Sequence, residues 1–425
     1  MWQIHGVYQP TLFSQKAEDR NLNKMIIRIN HQEVVSFLLT LLTVWMSRTV
    51  FFGIVNQRIT WLVYCGCILA ALFLVRIPVI RFKNIMTKLL VPLALFFISI
   101  ILYFSEMSSS SINAVLGYIV MMLCGAMTAI LVEPQLFAKH YIRIIAVYCL
   151  ISLPCILIAN TNESLAYMLC QSGYDWKTQY GYSPFYTWGM NGTISLRNSG
   201  PFWEPGAFQG YIWIAVLFML FDVDAKCTKH RKTIFALFII TLLTTQSTTG
   251  YVLLVLAFML FNGRILRLLE IRNMNTKVMI GILILLIGLV FLSTSTVITN
   301  KIGNENNVSA QMRRADILTG GLLALKAGPF GLGETWTRNS LRMSMGLYKD
   351  DSAGLIQITY TFGWMMGLYY ITSLCGIAKR LFNTDTRSER IGIAILLVIL
   401  HLTEGLWSLP LFWVLLFEHC ERNTA

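Results

Sequence analysis

Long apolar runs separated by short charged segments recur along the whole chain, a pattern that belongs to helices crossing a membrane. They lie near 34–55, 59–75, 89–104, 112–132, 141–159, 205–221, 278–298 and 355–376. Two further stretches are longer but interrupted. Residues 233–262 carry the polar segment Thr244-Thr245-Gln246-Ser247-Thr248-Thr249-Gly250, and residues 391–418 carry His401, Thr403, Glu404, Gly405 and Pro410. Only 13% of residues are charged, about half the share of a soluble domain, which excludes a soluble enzyme and a disordered chain. An outer-membrane barrel is excluded too, because its strands alternate apolar with polar side chains. The expectation is an all-α polytopic membrane protein, with residues 1–425 forming one integral membrane domain.

Charge sets the crossing number. Lys226, Lys229, Arg231 and Lys232 precede the 233–262 stretch, and Arg264, Arg267, Arg272 and Lys277 follow it. Both clusters favour the cytoplasm, so the stretch crosses an even number of times and is read as a hairpin turning at TTQSTTG. The 391–418 stretch is read the same way, giving about twelve transmembrane helices with both ends inside. Inner segments then hold 23 of the 34 Lys and Arg. The net charge of +13 thus reflects topology and gives no reason to expect a nucleic-acid partner. Two long outer loops remain, about 160–204 and 299–354, and these are the expected functional face. The nine cysteines show no disulfide or CxxC spacing.

The most informative stretch runs from Arg197 to Tyr211, RNSGPFWEPGAFQGY. Pro205 suits a first helical position, which puts Glu204 at the N-cap, facing the positive end of the helix dipole. Gly206 and Gly210 allow another helix or a ligand to approach closely. Arg197, just outside, is able to grip phosphate oxygens through a forked contact or to bind lipid headgroups. Arg48 falls inside the first apolar run, where it snorkels outward or reaches a phosphate.

These residues resemble the segment before a central helix in the Wzy-type O-antigen polymerases and their O-antigen ligase relatives. Residues 244–251 resemble that family's T-x-S-T/R-G hairpin. Ala327-Gly328-Pro329-Phe330-Gly331-Leu332-Gly333 is similar to its P-x-x-G-x-G turn. Asp350-Asp351-Ser352-Ala353-Gly354-Leu355, followed by Phe362-Gly363, is similar to its return into the membrane. The four motifs occur in order across about 170 residues. The resemblance implies a GT-C-like membrane glycosyltransferase of the bacterial inner membrane. Such an enzyme needs no metal or other cofactor and acts on its periplasmic face on undecaprenyl-diphosphate-linked glycans. Membrane lipid, a flippase and chain-length regulator proteins are the implied partners. A diphosphate leaving group needs fixed cations, and Arg197 with Arg313 and Arg314 would clamp it from the two loops. The R-x10-G spacing of some members does not follow any of the three. Glu204 or Asp351 would be the base for the acceptor hydroxyl; alternatively Glu204 only caps and Asp351 only pairs with an arginine.

Ligases of this family carry a histidine where the second long loop returns to the membrane. This chain has Asp350-Asp351 there and no histidine in either long loop, which favours a polymerase over a ligase. A flippase or transporter for lipid-linked oligosaccharides is the reading from another class, but the inverted repeats it calls for are not found. Asp222-Val223-Asp224 spells DxD without the βαβ context that would give it meaning. The aromatic residues of 174–188 are expected to form an interfacial belt or to stack on sugar rings. His401 and Glu404, costly in lipid, are expected to face a polar cavity.

Overall fold

The computed structural model describes residues 31–174, 178–224, 228–271, 308–334 and 353–418, with single helical positions at 278, 281 and 288. The rest of the 278–298 run and Asp351 lie outside the described residues.

Helices dominate. In chain order they are α1 His31–Met46, α2 Gln57–Leu74, α3 Val79–Tyr103, α4 Ser109–Leu131, α5 Pro134–Thr161, α6 Glu163–Leu169 and α7 Pro205–Leu220. They continue with α8 Arg231–Thr244, α9 Thr248–Leu268, α10 Val308–Lys326, α11 Gly354–Arg380, α12 Arg387–Thr403 and α13 Pro410–Phe417. Five of them, α2, α3, α4, α5 and α9, are long and apolar enough to cross a membrane. The chain is a helical membrane protein on that basis.

Burial sorts the helices by position. α7 is apolar around its whole circumference apart from Gln209, and all sixteen of its residues are buried; such a helix belongs in a core. α5, α8, α9 and α12 pack around it. α2 and α3 instead leave Leu62, Phe73, Val79 and Ile101 exposed, an apolar outer surface that suits lipid. α13 is wholly buried but has only eight residues, about 12 Å of rise against a hydrocarbon core of about 30 Å. The 391–418 stretch is therefore one helix plus a short one started by Pro410, shorter than the expected pair.

Two ends of the bundle differ in chemistry. At one, arginines are neutralised locally. Arg81 donates to Glu418 at 3.0 Å, Arg231 to Asp222 and Asp224 at 2.8 and 2.6 Å, and Arg264 to Glu389 at 2.7 Å. The DxD of the sequence is thus a clasp on Arg231. At the other end α8 and α9 meet in a turn over Thr245–Ser247, as the polar interruption predicts.

That second end also carries structure the sequence pattern hides. The first long loop contains α6 and a four-stranded antiparallel sheet in the order β1-β2-β3-β4, with β1 Gln171–Tyr174, β2 Gln179–Ser183, β3 Tyr186–Met190 and β4 Thr193–Ile194. Asn191 and Gly192, both at positive φ, make the two-residue turn between β3 and β4, the geometry that hairpin twist favours. Tyr180 and Tyr182 pack on Val50 and its neighbours; Tyr186 and Trp188 pack on Ile156, Ala159 and Ala166. These four rings bolt the sheet to the bundle, so they form neither an interfacial belt nor an open sugar platform. Trp176 lies outside the described residues.

The first apolar run breaks early. α1 stops at Met46, Arg48 takes φ +66°, and a single π-helical turn follows over Val50–Val55. Arg48 is therefore exposed at a corner and is not inside a helix. Tertiary pairing sets the break, since Val50 N donates to Pro201 O at 2.8 Å and Thr49 bridges to Phe202.

The glycine-rich turn at 327–333 docks into a second break. α11 is interrupted at Gly363, where φ is +89°. Leu332 N donates to Tyr360 O and Gly333 N to Thr361 O, while Trp364 N and Met365 N return bonds to Gly328 O and Pro329 O. Two motifs some thirty residues apart in the sequence thus form one backbone lock. A Cβ on Gly331 or Gly363 would overlap the opposing main chain, so both glycines are required by close approach as well as by φ.

Candidate active site

The segment Arg197–Gly206 forms the hub at the sheet end. Asn198 is fully buried, and its Nδ2 donates to Ser152 Oγ at 3.0 Å and to Thr244 Oγ1 at 2.9 Å. Its Oδ1 accepts from Gly200 N at 3.0 Å. One side chain thereby ties the first long loop to α5, to α8 and to its own turn. Gly200 follows at φ +51°, with no room for a side chain beside the Phe208 ring. Phe202 stacks on Tyr211 with ring centroids 3.8 Å apart.

Arg197 is held at the rim of this hub. It is half-buried, and its Nε donates to Thr245 O at 3.3 Å in the α8–α9 turn. The Arg48 guanidinium sits 5.7 Å from the centroid of the Trp203 ring, a cation–π contact. The Trp203 indole donates to Glu204 Oε1 at 2.9 Å. Arg48, Trp203 and Glu204 thus form a contiguous group that the sequence reading had not joined.

Glu204 occupies the N-cap of α7, as expected, and its main-chain oxygen accepts from Phe208 N. Its carboxylate makes no capping bond and turns to the indole instead, which corrects the alternative that Glu204 only caps. A second carboxylate reaches that helix start from elsewhere: Glu404, at the C-terminal end of α12, is 1% exposed, and its Oε1 lies against Gly206. A side chain at Gly206 would collide with it. Of the two spaced glycines, Gly206 admits this carboxylate, while Gly210 makes only ordinary contact with Leu400 and Leu406.

Four helix N-termini open here among the described residues. Those of α7 and α11 flank Glu404 through Gly206 and Gly354, and that of α9 begins beside Gln209. In α13, Leu411 N donates to Ser47 Oγ at 3.2 Å. Each brings partial positive charge from the aligned N–H groups of its first turn. Together with Arg48 and Arg197 they make this end suited to an anion, although carboxylates also stand within it.

Gln209 escaped notice in the sequence. It is fully buried, its Oε1 faces Gly250 in the first turn of α9, and neither amide atom has a hydrogen-bond partner among the described residues. Its signal was being the one amide in an otherwise apolar helix. His401 is buried against the Tyr370 and Phe412 rings, with Nδ1 2.8 Å from Leu397 O. It packs within the bundle and does not face an open cavity. Arg313 and Arg314 fall on α10, but their side chains, like Asp351, lie outside the described residues. The structure therefore joins Arg197 to Glu204 within one segment and leaves the opposing half of the expected clamp unaddressed.

No family model, curated protein or solved structure matches the chain.

Proposed function

We propose that the protein is a Wzy-type polysaccharide polymerase. In this reading it is a GT-C-like glycosyltransferase of about twelve membrane crossings, joining undecaprenyl-diphosphate-linked repeat units on the outer face of the bacterial inner membrane. The observation that carries the reading is that Arg197, held on the α8–α9 turn, and Glu204, linked through Trp203 to Arg48, flank the start of α7 in the segment whose sequence resembles that family. The bond broken, between an anomeric carbon and diphosphate, releases a polyanion. Fixed cations and oriented N–H groups lower the barrier to that departure most when they need not reorganise.

The acceptor hydroxyl attacks the anomeric carbon, its proton passes to a carboxylate, and the diphosphate leaves with the bonding electron pair. Glu204 is the base in this scheme. It is half-buried and so open to a hydroxyl, and the Trp203 N–H orients one of its oxygens. Glu404, almost wholly buried, positions the start of α7. Arg197 binds the diphosphate, and Arg313 and Arg314 of the second loop are the other half of the clamp in this reading. The carboxylate-clasped arginines of the opposite end suit a cytoplasmic face.

Deletion of the gene tests this directly. Surface glycan reduced to single repeat units on their acceptor is the expected outcome. Glycan absent from the acceptor with long lipid-linked chains accumulating would make the protein a ligase instead. Repeat units retained on the cytoplasmic leaflet would make it a flippase.

A further inference from the structure

We propose that the small sheet of the first long loop carries a binding pocket for one neutral sugar residue of the glycan. A partly open cavity of about 150 Å³ lies between α6 and the sheet. That is far above the roughly 10–15 Å³ a single water requires, and it is on the scale of one pyranose ring.

The lining decides the ligand class. Tyr167 supplies an aromatic ring, Gln179 an amide, Ser172 and Thr193 hydroxyls, and Gly181 and Gly189 main chain, with the Cys170 thiol lying over Gly181. None of the residues lining the cavity is charged. A phosphate, carboxylate or cationic ligand would find no counter-charge there, whereas a polyhydroxylated neutral ring finds donors, acceptors and an aromatic ring. The diphosphate itself therefore belongs elsewhere, at the arginines.

Hydrogen bonds tie the walls of the pocket together, and it lies close to the hub. Tyr167 Oη donates to Gly192 O at 3.1 Å, holding α6 to the β3–β4 turn, and Asn191 Oδ1 accepts from Gln179 N at 3.2 Å. Asn162 caps α6 by accepting from Leu165 N at 3.0 Å. Thr193 precedes Arg197 by four residues, a span of at most about 14 Å. A short oligosaccharide whose diphosphate rests at Arg197 reaches that far. The pocket rests on the glycan reading above for its occupant, and it would hold the repeat unit in register while the anomeric centre reacts. Cys170 lies in the same lining, and burial pushes its thiol above the ordinary range.

The test uses the full-length protein in nanodiscs and saturation-transfer NMR. The probes are methyl glycosides of neutral hexoses, 6-deoxyhexoses and N-acetylhexosamines. At least one is expected to bind. Its affinity is expected to fall at least tenfold in Tyr167→Ala and in Gln179→Ala and to persist in Tyr167→Phe and Arg197→Ala. In the unsubstituted protein the same glycoside is expected to slow maleimide labelling of Cys170 severalfold, read by peptide mass, which needs no variant to fold. No binding from the panel, binding indifferent to Tyr167→Ala and Gln179→Ala, or unprotected Cys170 would each overturn the pocket. Glycoside binding without chain extension would keep the pocket and remove the polymerase reading; extension without glycoside binding would do the reverse.

Discussion

Gly206→Ala and Gly210→Ala, four residues apart on one helix, are expected to move stability in opposite directions. A methyl group at Gly210 would meet Leu400 and Leu406 at 3.7 and 3.9 Å, ordinary contact. That substitution gains the usual helical preference of alanine, up to about 1 kcal/mol. At Gly206 the methyl would overlap Glu404 Oε1 and stand 3.1 Å from its Cδ. The carboxylate is buried and has to rotate away, and such overpacking costs about 1–3 kcal/mol. In the polymerase reading the same shift moves the start of α7 and with it Glu204, and displacements of about 1 Å lower rates on the order of a hundredfold. The assay is denaturation of purified protein in one detergent, with chain extension measured in parallel. Glu404→Asp, shorter by one methylene, completes a double-mutant cycle. Its coupling to Gly206→Ala is expected to exceed the roughly 0.3–0.5 kcal/mol of non-interacting sites. Equal stability of the two alanine variants, or an additive cycle, would refute the contact.

Asn198→Ala is expected to cost about 2–4 kcal/mol, because it removes three buried hydrogen bonds and orphans Gly200 N–H; denaturation within 0.5 kcal/mol of the unsubstituted protein would contradict this. Gly331→Ala and Gly363→Ala are each expected to destabilise more than Gly328→Ala, since all three stand at positive φ but only Gly328 faces open space; melts of the three side by side decide it. In a cysteine-free background, cysteines at Gln246 and Leu196 are expected to react with an impermeant maleimide from outside, and one at Lys232 only after permeabilisation. Labelling of Gln246→Cys only from the cytoplasm would invert the α8–α9 hairpin.

The parts legible in the sequence were those with a strong local signature. A seven-residue polar segment within the thirty-residue stretch 233–262 announced the turn between α8 and α9. Pro205 announced the start of α7. The early end of α1 was hidden, because residues 34–55 read as one apolar run and the break depends on Pro201 and Phe202, some 150 residues away. The sheet was hidden for a related reason. QYGYS alternates in burial, but its tyrosines face Val50 and its neighbours, which no local pattern announces. In the candidate site Arg197 and Glu204 were found from the company they keep. Glu404 was noticed as a costly charge, but its place against Gly206 depends on how α12 crosses α7, and Gln209 was passed over inside its motif.

Lengthening of lipid-linked glycan is read out with purified protein in proteoliposomes that hold undecaprenyl-diphosphate repeat units and chelator. The account expects a ladder of extended lipid-linked products. Arg197→Ala, which removes a charge-assisted contact to the leaving group, is expected to slow the ladder by roughly 30- to 1000-fold, about 2–4 kcal/mol of barrier. Arg197→Lys is expected to recover little, since it keeps the charge but loses the fork. Repeat units left unextended by folded protein, or a ladder indifferent to Arg197→Ala, would contradict the account, and a ladder abolished by chelator alone would contradict its metal-independent chemistry.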